Sequence, residues 1–118
     1  MPEVVALAVD AKGVITEVGL GLKSLQEAVG GLIQPIDIAE DLTMWVNEEF
    51  MLFNEPQPNF TASGFFSFVG GTYAIHGTVV FTGGTDPEGK TLPLTQDNAD
   101  SIRRIVATQN KVASWLGV

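Results

Sequence analysis

The sequence contains no cysteine and a single histidine, His76. Disulfides and thiolate chemistry are therefore excluded, and a structural zinc site would lack ligands. No acidic stretch has EF-hand spacing, and the glycines at 19–21 lack the spacing of a phosphate-binding loop. We therefore expect no metal and no cofactor. A chain without cysteine also suits a reducing cytoplasm, where we expect the protein to act.

Long hydrophobic runs are missing as well. The longest aliphatic run is Val4 to Val9, whereas a membrane-spanning helix needs about 20 apolar residues. The N-terminus carries an acid and no basic flank before this run, which is not the pattern of a secretory signal. We expect neither membrane insertion nor export.

Positive charge is scarce and unevenly placed. The chain has six basic residues and 14 acidic ones, which gives a net charge of −8. No Lys or Arg lies between Lys23 and Lys90, whereas that stretch holds the acids Glu27, Asp37, Glu40, Asp41, Glu48, Glu49, Glu55, Asp86 and Glu88. Nucleic-acid binding requires cations that displace phosphate counterions, so direct binding is not expected. The two remaining interpretations are contact with a basic protein surface and plain solubility.

The first half of the chain predicts a hairpin, a short helix and strands. Two β-branched runs flank a turn at 10–13. Ser24 and Glu27 have capping-box spacing for a helix that ends at Gly30. Strands are expected near 35–39 and 42–46, and a further strand is considered at 50–53.

The second half predicts two more helices and a long strand. Residues 61–69 form a short helix capped by Asn59 or Thr61, and residues 70–84 form a strand with Gly77 at a bulge. From Thr95 apolar residues recur every three or four positions, which is typical of an amphipathic helix. We expect a single α+β domain, residues 1–118: a mainly antiparallel sheet, a short capped helix and a C-terminal amphipathic helix packed on it.

The stretch Asn47-Glu48-Glu49 is the first candidate site. Adjacent side chains on a strand point to opposite faces, so the two glutamates cannot act as a catalytic pair there. Asn47 is a good first residue of a turn. A structural turn and a partner-binding tip both remain open, and we expect no enzymatic activity.

His76 and the aromatic segment 60–73 are two further features. A lone histidine in an apolar strand is more often a hydrogen-bonded structural group than a titrating functional one. The aromatic side chains between Phe60 and Tyr73 are dense enough to form either core or a contact patch. A patch would serve a homo-oligomer or a host-protein interface.

Four stretches, "SLQEAVGGLIQPID", "DLTMWVNEE", "PNFTA" and "GGTYAIHGTVVFTG", occur in this order. Their sequence resembles the domain-of-unknown-function family 3846, small proteins of actinobacterial phages, mobile elements and bacteria. The resemblance implies no activity, and it implies a setting inside a bacterial host cell. Family members commonly continue Asn-Glu-Glu with glycine, where this chain has Phe50. They often have a base after the asparagine equivalent to Asn59, where this chain has Phe60.

Together these observations predict a non-enzymatic, phage-type accessory protein that binds a host macromolecule through an acidic surface. One form is a DNA mimic with a host-takeover or counter-defence role, because carboxylates can imitate phosphates. The partner-binding residues expected are Trp45, Asn47, Glu48, Glu49 and Asn59. The alternatives are a nucleotide-like small-molecule binder, whose concave pocket Trp45, Asn47, Asn59 and aromatic side chains would line at a subunit interface, and an oligomeric structural protein.

Overall fold

The computed structural model, which describes residues 5–49 and 58–117, contains five strands and three helices in those ranges. The strands are β1 (Ala6–Val9), β2 (Ile15–Val18), β3 (Ile33–Ala39), β4 (Leu42–Asn47) and β5 (Val79–Thr82). The helices are α1 (Leu22–Val29), α2 (Phe60–Phe68) and α3 (Gln96–Leu116). The predicted α+β class is confirmed.

The strands form one sheet in the order β2-β1-β5-β4-β3, and all neighbours are antiparallel. Strand β5 enters the centre, where Phe81 lies opposite both Leu7 of β1 and Met44 of β4. The sheet therefore joins an N-terminal hairpin to the β3–β4 hairpin through a strand that is distant in sequence from both.

Alternation along each strand divides the core into two layers. One face carries Leu7, Met44 and Phe81, which pack with Ala62 of α2 and Ile102 of α3. The other face is covered by α1, whose buried residues pack with Ala6, Ala8 and Val80 and, at its edge, Trp45. Because successive strand residues point to opposite faces, Met44 and Trp45 belong to different layers, as the sequence predicts.

The N-terminal hairpin has the predicted turn. The Asp10 carboxylate accepts hydrogen bonds from the backbone N–H of Lys12 and of Val14, both at 2.9 Å. Gly13 has a φ of 79°, a conformation that is strained for residues with a Cβ.

The predicted capping box at Ser24 is wrong, although the end of its helix is right. Helix α1 begins at Leu22, and its N-cap, Gly21, makes no side-chain hydrogen bond. The β2 strand ends at Val18 and the chain enters the helix almost at once, so Ser24 lies inside the first turn. Gly30 ends the helix at a φ of 84°, and its N–H donates to the Gln26 carbonyl at 2.9 Å.

The predicted long strand over 70–84 is also wrong, because only Val79–Thr82 pairs in the sheet. The backbone groups that precede β5 are instead hydrogen-bonded to side chains of α2 and of its N-cap residue. The Ser63 hydroxyl accepts from the Ile75 N–H at 2.8 Å, and the Asn59 amide donates to the Gly77 carbonyl at 2.8 Å. The strand considered at 50–53 lies outside the described residues.

The two later helices agree with prediction. Asn59 caps α2, and the Thr95 hydroxyl caps α3 by accepting from the Asn98 N–H at 3.1 Å. The first half of α3 packs on the core through its buried residues Ala99, Ile102 and Val106. Among the described residues, no helix is both long and apolar enough to cross a membrane.

Candidate functional site

Asn47 ends β4 and builds the turn that follows it. Its side-chain amide donates to the Val29 carbonyl at 3.1 Å, and its side-chain oxygen accepts from the Glu49 N–H at 2.8 Å. The residue is buried, and the absence of a side chain at Gly31 leaves room for its amide. The turn predicted at Asn47 is confirmed, and the polar atoms of Asn47 hold the end of α1 against the sheet.

Glu48 and Glu49 are exposed at this turn. The Glu48 N–H donates to the Leu32 carbonyl at 2.8 Å, which fixes the backbone and leaves the carboxylate in solvent. The residues after Glu49 up to residue 57 lie outside the described ranges. Both side chains are exposed, and their binding role stays a prediction.

Trp45 is half-buried on the α1 face of the sheet. Its indole N–H donates to the Thr82 hydroxyl at 2.9 Å, and its ring borders the cluster under α1. The indole thus joins neighbouring strands β4 and β5, and its polar atom is already used within the fold.

Asn59 is the most fully bonded side chain among the candidates. Its amide donates to the carbonyls of Val9 at 2.9 Å and Gly77 at 2.8 Å, and its oxygen accepts from the Ala62 N–H at 3.0 Å. Its own N–H donates to the Ile75 carbonyl at 2.7 Å. One buried residue therefore connects strand β1, helix α2 and the segment before β5.

The structure does not bring Trp45, Asn47 and Asn59 into one pocket. Trp45 and Asn47 belong to the α1 layer, whereas Asn59 caps a helix of the opposite layer. Asn59 borders a cleft of about 220 Å³ whose other polar walls come from Asp10, Lys12, Gln109 and Asn110. The concave pocket expected for a small-molecule binder is not formed by these three residues.

His76 differs from the expected hydrogen-bonded histidine. It is half-buried, and its Nδ1 has no hydrogen-bond partner among the residues described. The neighbouring polar side chains, Asn59 and Ser63, are already bonded to the backbone of residues 75 and 77.

The register of the sheet gathers acids at one end. The β3–β4 turn, which carries Glu40 and Asp41, lies at the same end as the last residue of β5, because Thr43 pairs with Thr82. The chain then turns through Asp86, whose carboxylate accepts from the N–H groups of Glu88 at 2.9 Å and Lys90 at 2.8 Å. We call Glu40, Asp41, Asp86 and Glu88 the acidic end.

A glycine allows the two loops of the acidic end to meet. A Cβ on Gly84 would collide with the Glu40 carbonyl oxygen, so only glycine fits this approach without a shift. Beside this contact lies an open cleft of about 340 Å³, lined partly by Asp37, Glu40 and Thr85. Glu40 is the member of the acidic end that lines this cleft, together with Asp37.

Among the described residues, no ion pair within 4 Å involves the acids of this end. Within the described ranges, one ion pair falls inside 4 Å, and it joins Arg103 to Glu17 at 3.9 Å. The exposed Glu48 and Glu49 follow the opposite end of β4. The Asn-Glu-Glu turn and the acidic end therefore lie at opposite ends of strand β4.

Sequence reasoning noted the acids of the acidic end but did not assign them to a site. Glu40 and Asp86 are far apart in the chain, and they meet because β5 inserts beside β4. A turn sequence at 40–41 and another at 86–89 were the available signals. Neither tells which strands pair, so neither places the two turns together.

Comparison with known proteins gave one match. The family model described as Domain of unknown function (DUF3846) matches residues 3–107. No curated protein and no solved structure matches the chain.

Proposed function

Since the chain belongs to the DUF3846 family, whose description assigns no activity, we propose from its geometry that it binds a basic macromolecule at the acidic end. The protein is a non-enzymatic accessory protein in this proposal. Its partner is a host protein with a cationic surface, and both act in the cytoplasm of a bacterial host. The phage or mobile-element setting is likewise part of the proposal.

The observation that carries the proposal is the convergence of Glu40, Asp41, Asp86 and Glu88 on two touching loops. Holding like charges together destabilises a protein, so such a cluster is costly without a cation to meet it. The loops also border a concave cleft. Carboxylates held around a concavity suit a protruding Lys or Arg better than a flat surface would.

A DNA mimic is the specific form of this function. Exposed carboxylates on two adjoining turns can occupy the phosphate subsites of a DNA-binding protein. The mimic predicts that duplex DNA and this protein compete for the same partner, and that raising the salt concentration weakens both complexes. A partner that binds without competition from DNA would still support the binding of a basic partner, but it would refute the DNA mimic.

The test is affinity capture from host lysate with three versions of the chain. The first is wild type. The second neutralises the acidic end, Glu40→Gln/Asp41→Asn/Asp86→Asn/Glu88→Gln. The third neutralises the opposite tip, Glu48→Gln/Glu49→Gln, and serves as the control for general loss of charge.

We expect a partner that wild type and the tip variant retain and that the acidic-end variant loses. Loss with the tip variant alone would move the contact to Glu48 and Glu49 and refute the acidic end. Equal retention by all three versions, each confirmed as folded by circular dichroism, would refute an acidic contact altogether.

A further inference from the structure

The second half of α3 extends beyond the core. Its last buried residue is Val106, and residues 107–116 continue as helix with only Gln109 and Ala113 half-buried. This is about 15 Å of helix. One side of this α3 arm, residues 107–116, is held by hydrogen bonds from the Thr61 hydroxyl to Gln109 and from Asn110 to the Gly13 carbonyl. Helices with little tertiary packing are marginal in water, so packing on the open side would stabilise the arm further.

That open side carries an apolar stripe. Ile105 and Val112 are seven residues apart, and Trp115 and Leu116 follow one turn later. All four are exposed. Spacing of three, four and seven residues places side chains on one side of a helix. The stripe is therefore a continuous surface, and it begins where the buried side of α3 ends.

Two grooves beside α2 continue this surface. One, of about 390 Å³, has mainly apolar walls that include Ile38, Leu42, Phe65, Phe68 and Ile105. The other, of about 370 Å³, lies between Phe60 and the arm residues Val112 and Leu116. Gln109 borders both. The α2–α3 face thus combines protruding side chains and grooves of apolar character.

The exposed apolar area of the α2–α3 face approaches that of a specific interface. Phe60, Phe68 and Trp115 are 60%, 79% and 72% exposed. With about 150–250 Å² per aromatic side chain, these three leave roughly 300–500 Å² to solvent. The exposed parts of Ile105, Val112 and Leu116 add to this. A standard specific interface takes about 800 Å² from each partner, which this face approaches.

We propose that the occupant of the α2–α3 face is a second copy of the chain. Its α3 packs antiparallel on this α3 about a twofold axis near Ile105. Leu116 and Trp115 of each copy then reach the groove of the other beside the β3–β4 hairpin. The contact is isologous and closes as a dimer.

The order of charges along α3 supports an antiparallel partner. Asp97 and Asp100 lie in its first turns, whereas Arg103, Arg104 and Lys111 follow with no further acid. Asp97, Arg104 and Lys111 are seven residues apart and flank the stripe. An antiparallel pair brings Lys111 of one copy, which lies over its own Trp115 ring at 5.4 Å, towards Asp100 of the other. It also brings the two Arg104 side chains near the axis, whereas a parallel pair would align every charge of α3 with its like.

This dimer does not rest on the proposed function, because its charged residues are those of α3 and not those of the acidic end. Its failure would leave the binding of a basic partner untouched. Conversely, if the protein dimerises through α3 but captures no basic partner, the proposed function is refuted and the dimer stands.

The test is sedimentation velocity over a range of concentrations. Leu116→Glu should raise the dimer dissociation constant at least about tenfold, since a charge would enter the apolar groove. The matched control is Leu22→Glu, because Leu22 is also an exposed helical leucine, 62% against 73% for Leu116, and begins α1 on the other face.

A charge exchange makes the test independent of folding defects. Lys111→Glu should weaken the dimer, and Asp100→Lys/Lys111→Glu should restore it, because the exchange recovers the opposite charges across the twofold axis. Wild type that remains monomeric up to about 0.5 mM overturns the proposal. A dimer that Leu116→Glu leaves intact, or a double exchange no tighter than Lys111→Glu, overturns it as well.

Discussion

At the scale of single residues, buried amides hold this fold together. Asn59 satisfies the carbonyls of Val9 and Gly77 while capping α2, and Asn47 joins the end of α1 to the turn after β4. Sequence reasoning marked both asparagines as partner-binding residues. Their hydrogen bonds instead explain why asparagine, which can donate and accept at once, stands at these two positions.

Replacing Asn59 by alanine should lower the free energy of unfolding by about 2–4 kcal/mol, because two buried carbonyls lose their donor and α2 loses its cap. Urea denaturation measures the change. Asn110→Ala is the control, since Asn110 is an exposed asparagine whose amide donates to the Gly13 carbonyl at 3.2 Å; it should cost under about 1 kcal/mol. Equal losses for the two variants would contradict this account of Asn59.

Asn47→Asp separates the two hydrogen bonds of Asn47. An aspartate still accepts from the Glu49 N–H, but it cannot donate to the Val29 carbonyl. We expect a loss of about 1–3 kcal/mol in the free energy of unfolding, measured by urea denaturation. The exposed neighbour substitution Glu49→Gln should change stability by less than about 0.5 kcal/mol. An Asn47→Asp variant as stable as wild type would show that the bond to α1 is dispensable.

At the scale of elements, periodic segments were predictable and paired segments were not. The α3 pattern and the hairpin turn at 10–13 are local, so the sequence alone predicts them. Residues 70–78 have strand-like composition, yet the Asn59 and Ser63 side chains form hydrogen bonds with their backbone, at Gly77 and Ile75. That competition comes from a distant helix. The same non-local pairing, with β5 beside β4, assembles the acidic end from two turns and conceals it in the sequence.

Gly84→Ala should disturb the element contact that forms the acidic end. The added methyl meets the Glu40 carbonyl, and overpacking of this kind costs about 1–3 kcal/mol. Gly64→Ala is the opposite control, because Gly64 lies within α2 with open space at its Cβ. That variant should gain about 0.5–1 kcal/mol from helix propensity. Thermal unfolding of both variants checks the signs, and a neutral Gly84→Ala would contradict the close approach of the two loops.

At the scale of the whole molecule, the clustered acids and the exposed apolar side chains lie on two different surfaces. The acidic end lies at the β3–β4 turn and the loop after β5, whereas the apolar stripe follows the second half of α3. Composition predicts the net charge of −8, but only the fold shows that the turn with Glu40 and Asp41 meets the loop with Asp86 and Glu88. The two surfaces adjoin at the β3–β4 hairpin, because Ile38 and Ala39 line both the apolar groove and the cleft of the acidic end. Each is therefore tested with variants that leave the other's residues unchanged.

Neutralising the acidic end should leave the protein as stable as wild type or more stable by up to about 1 kcal/mol, because the repulsion among its carboxylates is removed. The amide that replaces the half-buried Asp86 carboxylate can still accept from the Glu88 and Lys90 N–H groups. Urea denaturation of the quadruple variant checks this at low salt, where repulsion is strongest. A clear loss of stability would mean that these carboxylates hold the loops together, and it would contradict a role in partner binding alone.

The most direct test of the central claim is carboxyl labelling of the protein, free and bound to the partner captured from host lysate, with mass spectrometry to measure each residue. The account predicts that the partner slows labelling of Glu40, Asp41, Asp86 and Glu88 and leaves Glu48 and Glu49 unchanged. Protection of Glu48 and Glu49, with the acidic end labelled as fast as in the free protein, would contradict it.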